Sequence, residues 1–336
     1  MELKGLTIAI TGIGGFIGLR MAERAIERGM HVTGMDINEK ALELPNKIGA
    51  QCFVGSTNST SDAEKLCQQA DIIFHTAAIV EGAGDMEIFR KVNVEGTRTV
   101  LEAAKLSISK QAACKRFVHL SSVMVYGFDY PDHVTEEGPL RGEGNPYCQT
   151  KLESDQLVCQ AHTPGGLEVI VIRAGDVYGP RSKPWVLTQA TEMVKGRFIN
   201  AGGKISVINH VHVDNLIDAI FLALEKDMTG EVFNVTDDRR TTFYEYYSRL
   251  AAAAGTTYRE IPIPVMNALF WLITTYGKIF RVPVPVDHAT LKFMLRNKPY
   301  SIEKAKRLLG YQPRITLEAG MQEVERYLRT QGIAKK

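Results

Sequence analysis

Short apolar runs alternate with longer stretches of helical period over the first half of the chain. Thr7–Thr11, His31–Asp36, Cys52–Val54, Ile72–His75, Phe117–Ser121 and Val169–Arg173 read as strands, each too short and too continuously apolar for an amphipathic helix. The segments between them read as helices. Such alternation predicts a parallel sheet, because parallel neighbours need a crossover and the crossing helices then cover both faces. Ligands of these sheets bind at the carboxyl ends of the strands. Beyond about residue 176 the pattern loosens, with prolines at 180, 184, 262, 264, 283 and 285, although 215–225 and 318–329 keep an amphipathic period. The expectation is a doubly wound α/β domain over residues 1–175. Residues 176–336 form a smaller, interleaved substrate-binding region, some of whose elements return to the first domain.

The first run leads into TGIGGFIG, residues 11–18. Between a strand and a helix, glycines allow a tight turn and a close approach to a diphosphate, whose charge the helix N-terminus favours. The glycines fall at Gly12, Gly15 and Gly18, flanking Phe16 and Ile17, and Ile17 stands where GxGxxG would place its last glycine. Alone the loop is weak evidence, and a tight strand-to-helix turn without a ligand is the minority alternative. The second run ends at Asp36, about twenty residues on, where a carboxylate can accept hydrogen bonds from a ribose. That carboxylate repels a 2'-phosphate, and no arginine follows in Ile37, Asn38 and Glu39, so the pattern favours NAD over NADP. Asp36 could equally cap the following helix.

Further along, NPYCQTK places Tyr147 and Lys151 four apart at the start of a helical pattern, on one face. A phenol near pKa 10 is a weak base at neutral pH, and an adjacent ammonium favours phenolate. The fifth run ends in Ser121 and Ser122, where the sheet opens toward a cofactor. Glycine loop, serines and YxxxK follow in an order that makes a chance surface pair the weaker reading.

Taken together these motifs resemble the extended short-chain dehydrogenases/reductases, with their Rossmann-type sheet, over nearly the whole chain. TGIGGFIG matches the family loop, NVEGT with Asn93 its asparagine-bearing helix, SSVMVYG its serine strand, and Tyr147 and Lys151 its catalytic pair. The resemblance implies that Ser122, four before the tyrosine of VYG, hydrogen-bonds the reacting oxygen, with Ser121 a neighbour or stand-in. It also implies that Lys151 holds the nicotinamide ribose and that Asn93 belongs to the supporting proton relay or its helix. HTAA, with Ala77 and Ala78, resembles the family's cofactor-lining fourth-strand end, and RAGDVYGPRS, with Val177, the segment bordering the nicotinamide. His75 reads as packing at a strand end. Two departures stand out: Ala174 replaces the usual proline, and Ser56 stands where an aspartate near adenine is usual.

The substrate side is less determined. VINHVHVDNLIDAI lacks the arginine that serves the diphosphate in nucleotide-sugar epimerases and dehydratases. His210 and His212 could form a metal pair only with a third ligand; the plainer reading is a strand entering a helix capped near Asp214, and no metal is expected. GEVFNVTDD, TTFYEYYSRLA and YSIEKAKRLLGYQPRITLEAGM resemble the 3β-hydroxysteroid dehydrogenase and sterol-4-carboxylate 3-dehydrogenase branch. Between them, residues 261–280 crowd Leu269, Phe270, Trp271, Leu272, Ile273, Tyr276 and Phe280 onto one helix, which reads as a lid over an apolar ligand, as core, or as a peripheral membrane contact.

Composition narrows the function classes. In 336 residues, a formal charge of +2 with dispersed Lys and Arg argues against a nucleic-acid surface. The odd number of cysteines, Cys52, Cys67, Cys114, Cys148 and Cys159, without a CxxC pair, fits reduced thiols. The N-terminus lacks signal-peptide features, so a cytoplasmic protein is expected. The expectation is an NAD-dependent oxidoreductase interconverting a secondary alcohol and a ketone on a hydrophobic, steroid-like substrate, with Tyr147 as acid and base; a homodimer is left open. A nucleotide-sugar epimerase or dehydratase and a non-catalytic dinucleotide sensor are the alternatives.

Overall fold

The computed structural model describes residues 1–80, 85–109, 115–142, 145–280 and 292–335; Cys114, Pro283 and Pro285 lie outside these. Its main sheet uses the six expected runs as β1 (Thr7–Thr11), β2 (His31–Asp36), β3 (Gln51–Val54), β4 (Ile72–His75), β5 (Arg116–Ser122) and β6 (Glu168–Ala174). The parallel order is β3-β2-β1-β4-β5-β6, with a seventh strand, Val232–Val235, beyond β6. Strand order reverses between β1 and β4, so the strand ends there part and leave a crevice at their carboxyl side.

Side-chain alternation sorts the sheet residues into two cores. Ile8, Ile10, Ile72, Phe74, Val118, Ile170 and Ile172 face one side with Met21 and Ala25 of α1 (Phe16–Glu27). Ala9, Ile73, Phe117, Val169 and Val171 face the other, against Ala63 and Leu66 of α2 (Thr60–Cys67) and Val100 and Ala104 of α3 (Gly96–Ser109). Val158 of α4 (Pro146–Ala161) joins that second side. Burial on both faces explains why the strands lack a polar alternation, each large apolar side chain contributing about 1.5–3 kcal/mol.

The later half adds short strands, of which only the one entering the helix near Asp214 is expected from the sequence. These are β7 (Asp176–Tyr178), β8 (Val207–Ile208), β9 (His210–His212), β10 (Val232–Val235) and β11 (Thr241–Thr242). Strand β7 pairs with β9 in parallel, and β8 with β11 antiparallel. Helix α5 (Val213–Glu225) packs its apolar face on the first core, while α6 (Phe243–Ala253) and α8 (Leu317–Thr330) form a third core with Tyr178 and Val186. Helix α5 is capped at His212, whose Nδ1 accepts the Asp214 N–H, with Asp214 in the first turn. Helix α7 (Ile263–Phe280) buries Met266 and Phe270 against Ala201 and leaves Trp271 65% exposed, with Leu272, Tyr276, Ile279 and Phe280 also in solvent. Among the described residues no helix is long and apolar enough to cross a membrane.

Candidate active site

A cavity of about 770 Å³ runs along the carboxyl ends of β1, β2, β4, β5 and β6. Its first wall is the glycine loop. Gly12, at φ +69°, turns the chain out of β1, and its N–H is held by Met35 O at 2.8 Å. A Cβ on Gly18 would stand 2.3 Å from Gly12 O, so only glycine lets the helix start against the turn. The α1 N-cap is Gly15, with no side-chain cap, which leaves first-turn N–H groups facing the cavity lined by Gly12, Gly15, Phe16, Ile17 and Gly18. That cradle fits a diphosphate. Asp36 and Ile37 line the next stretch. Asp36 accepts the Gly14 N–H (3.2 Å) and the Asn38 N–H (3.0 Å), while Asn38 caps the short helical turn that follows. The carboxylate therefore braces the loop instead of capping a helix.

Gly55, Ser56, Thr57 and Asn58 follow along the wall. In place of the usual acidic side chain, the Ser56 N–H is held by Asp62, at 3.0 Å. Ala77, Ala78 and Val177 line the cavity at its middle, together with Ser122, Tyr147 and Lys151.

Asn145 fixes the start of α4 by accepting the N–H groups of Tyr147 and Cys148 at 3.0 and 3.2 Å, with Pro146 in the first turn. One turn on, Lys151 lies against β5 and donates from Nζ to Leu120 O at 2.6 Å. Burial draws Lys151 down to about 8, against the pull of Asp155. Burial likewise pushes the Tyr147 phenol up to about 12, opposed by its hydrogen bond with Ser122. The expected lowering of the phenol is therefore not found: desolvation dominates, and Lys151 directs an N–H to a backbone carbonyl.

The two serines divide. Ser122 Oγ accepts the Met124 N–H at 3.2 Å and faces Tyr147. Ser121 Oγ donates to Asp155 Oδ2 at 2.6 Å, so it is no stand-in for Ser122. Arg173 grips the same carboxylate through Nε and Nη2 at 3.0 and 2.8 Å and accounts for a buried charge that the motif reading passed over. Asn93 lies in a widened turn, Arg90–Glu95, before α3. Its Oδ1 accepts the Ile79 N–H, and its Nδ2 donates to Ile79 O and to Thr150 Oγ1. The side chain is a brace between the β4 exit and α4, with both amide protons engaged.

Val80, Val92, Lys183, Pro184 and Trp185 also line the cavity. Trp185 was not singled out by sequence; its place depends on the turn Lys183–Leu187 and on Phe293 and Phe243, whose centroids lie 6.1 and 6.4 Å from its own. Among the described residues no arginine lines the cavity, and neither does any residue of α7. The lid reading of 261–280 therefore has no contact to rest on there.

His210 and His212 do not act as a pair. His210 is engaged at both ring nitrogens, by Asp237 and Thr241. His212, Asp214 and Glu323 do bring donor atoms within 4.8 Å of one another. However, His212 Nδ1 accepts the Asp214 N–H, which places the ring proton on Nε2, facing Glu323 at 3.5 Å. Asp214 is held by Arg20 and Arg24. The cluster is a hydrogen-bonded ion network whose free imidazole lone pair is already spent.

A family model described as NAD dependent epimerase/dehydratase family matches residues 8–236. A 4-hydroxy-2-methyl-3-oxo-4-farnesyl-3,4-dihydroquinoline-1-oxide ketoreductase of Stigmatella aurantiaca is 26% identical, with 93% of both chains covered. A 3-beta-hydroxysteroid dehydrogenase of Mycolicibacterium neoaurum is 28% identical over 94% of this chain and 89% of its own. The fold is also that of UDP-glucuronic acid 4-epimerase from Bacillus cereus in complex with NAD, at TM-score 0.76, 22% identity and 97% of each chain. The glycine cradle, Asp36 and the tyrosine–lysine helix line one cleft, and this chain belongs to the NAD dependent epimerase/dehydratase family, as an NAD-dependent enzyme of the extended short-chain dehydrogenase/reductase type.

Proposed function

We propose that the protein interconverts a secondary alcohol and a ketone on an apolar, steroid-like substrate. The observation that carries this reading is the part of the cavity lined by Val80, Val92, Pro184 and Trp185, apolar apart from the neighbouring Lys183, with no arginine for a sugar-nucleotide diphosphate among the described lining residues. The relatives named for a 3-beta-hydroxysteroid and a farnesyl-bearing compound support the same class. NAD, when bound, supplies the two-electron acceptor.

Tyr147 takes the hydroxyl proton at its phenol oxygen in oxidation and returns it in reduction. Ser122 Oγ accepts the Met124 N–H, and its own proton, beside Tyr147, is the one it offers to the substrate oxygen. Lys151 holds the nicotinamide ribose and supplies positive charge beside the phenol, and Asn93 keeps α4 in register with the β4 exit. NAD reduction against a panel of hydroxysteroids, 3-hydroxy acids and UDP-sugars tests the reading. Turnover of the hydroxysteroids is expected; efficient turnover of a UDP-sugar instead would overturn it.

The proposal extends to α7 as a peripheral lipid contact. Val265, Leu269, Leu272, Tyr276 and Ile279 form an exposed stripe at helical spacing, flanked by Trp271 and Phe280. Residues 261–286 contain no Asp or Glu but do contain Lys278 and Arg281. An exposed apolar stripe in a segment whose sequence has basic and no acidic residues suits an anionic bilayer surface. Phosphatidylcholine–phosphatidylserine vesicles should co-float the protein, and Leu272→Glu with Ile279→Glu should abolish this; a parent that stays at the bottom of the gradient would rule the contact out.

A further inference from the structure

His75, read from sequence as packing, is the centre of a directional hydrogen-bond chain. Thr11 and His75 end β1 and β4 side by side in register. Thr11 Oγ1 accepts the N–H groups of Thr76 and Ala77 at 3.1 and 3.2 Å, which leaves its one proton for His75 Nδ1 at 2.9 Å. Nδ1 is then an acceptor, so the ring proton sits on Nε2, 2.9 Å from Thr97 Oγ1. Thr97 passes its own proton to Asn93 O at 2.7 Å. The opposite tautomer would crowd three donors onto Thr11, strand the Thr11 proton and draw Thr97 away from Asn93. Buried polar groups left unpaired in this way are costly, so the chain has one favoured direction.

The chain spans the whole floor of the site. At one end are Thr76 and Ala77, whose residues line the cofactor cavity. At the other is Asn93, whose side chain ties Ile79 to Thr150, the residue before Lys151. We propose that His75 is a positioning residue, a neutral imidazole protonated at Nε2 that fixes the cofactor floor relative to Asn93 and, through it, to the helix of Tyr147 and Lys151. The inference rests on the assignment of NAD to this cleft and needs no substrate.

The surroundings favour the neutral ring. It is buried, stacked on His119 at a centroid distance of 5.6 Å and tilted against Phe117 at 5.8 Å. Burial first, then the Lys151 charge, hold it down to about 3. His119 is likewise pushed well down, chiefly by burial. The groups facing His75 therefore offer it no carboxylate that would stabilise a charged ring.

Nitrogen-15 imidazole spectra of the parent protein, recorded from pH 5 to 9, should show His75 protonated at Nε2 only and not titrating. Two variants test the function. His75→Gln keeps one acceptor and one donor, whereas His75→Phe keeps the stacking and loses both. NAD affinity by calorimetry should fall at least tenfold in His75→Phe and stay within about threefold of the parent in His75→Gln. Phe117→Leu, in the adjoining core, is the control: it should lower the melting temperature without moving NAD affinity. A ring protonated at Nδ1, or a His75→Phe protein that binds NAD like the parent, would overturn the proposal; should that variant not fold, the parent spectra and the glutamine variant still decide it.

Discussion

The two ends of the one cavity are built differently. The dinucleotide end is mostly backbone: the Gly12–Gly18 turn, the open N-terminus of α1 and the strand exits at Asp36 and Thr76–Ala78. These residues lie in three short contiguous motifs, each at a strand end. The end proposed for the substrate is side chains from segments far apart in sequence: Val80, Val92, Lys183, Pro184 and Trp185, the last propped by Phe243 and Phe293. Backbone geometry demands particular residues at fixed spacings. An apolar wall demands only volume and can be assembled from anywhere, so the first end recurs as a pattern and the second does not.

Breaking the backbone end should have the largest effect. Gly18→Val forces a side chain against Gly12 O and should lower NAD affinity at least a hundredfold by calorimetry, with a folded circular-dichroism spectrum. Where the two ends meet, Lys151 carries a pH signature. Its folded pKa, drawn down to about 8 from an ordinary 10.5, means that the unfolded chain holds more protons between those values, so stability should rise with pH above about 8. From pH 8 to 9.5 the parent should gain roughly 2 kcal/mol relative to Lys151→Met in urea denaturation, at 1.36 kcal/mol per pKa unit. A parallel pH dependence in the two proteins would contradict the burial of that charge.

At the substrate end, Trp185→Ala should raise the Michaelis constant for an apolar alcohol about tenfold while leaving NAD affinity unchanged, the loss expected from removing one apolar wall. A shift in NAD affinity instead would erase the distinction between the two ends. The smallest effect belongs to Asp36→Ala. Removing the carboxylate relieves repulsion of a 2'-phosphate but also frees the Gly14 N–H, so the preference for NAD over NADP should narrow severalfold, read as the ratio of dissociation constants.

Legibility followed the same divide. The six main strands were visible because each is a short apolar run between turn signals, and pairing in the structure extends β3, β5 and β6 by only a residue at one or both ends. Strand β9 was legible only as the lead into the helix near Asp214, whereas β7 and β10, of three and four residues, exist through their partners and leave no period to read. The YxxxK pair, the glycine loop and Asp36 were legible because their chemistry is local. The Ser121–Asp155–Arg173 clamp, the His75–Thr97 bond and the approach of Trp185 to Phe293 depend on which segments pack together, and no spacing encodes them. Motif spacing favours Ser122 over Ser121, but only the carboxylate beneath Ser121 takes that neighbour out of the role of stand-in. Helix α7 was legible as an apolar helix, but the sequence could not say which of its faces meets the protein.

The central claim is that Tyr147 moves the proton of an apolar alcohol in a cleft that binds NAD independently of it. Steady-state NADH formation from a 3β-hydroxysteroid by the parent and by Tyr147→Phe, with NAD affinity measured on both, tests it directly. The account predicts a kcat at least about a hundredfold lower in the phenylalanine variant, with the NAD dissociation constant nearly unchanged. Full turnover by that variant would contradict it.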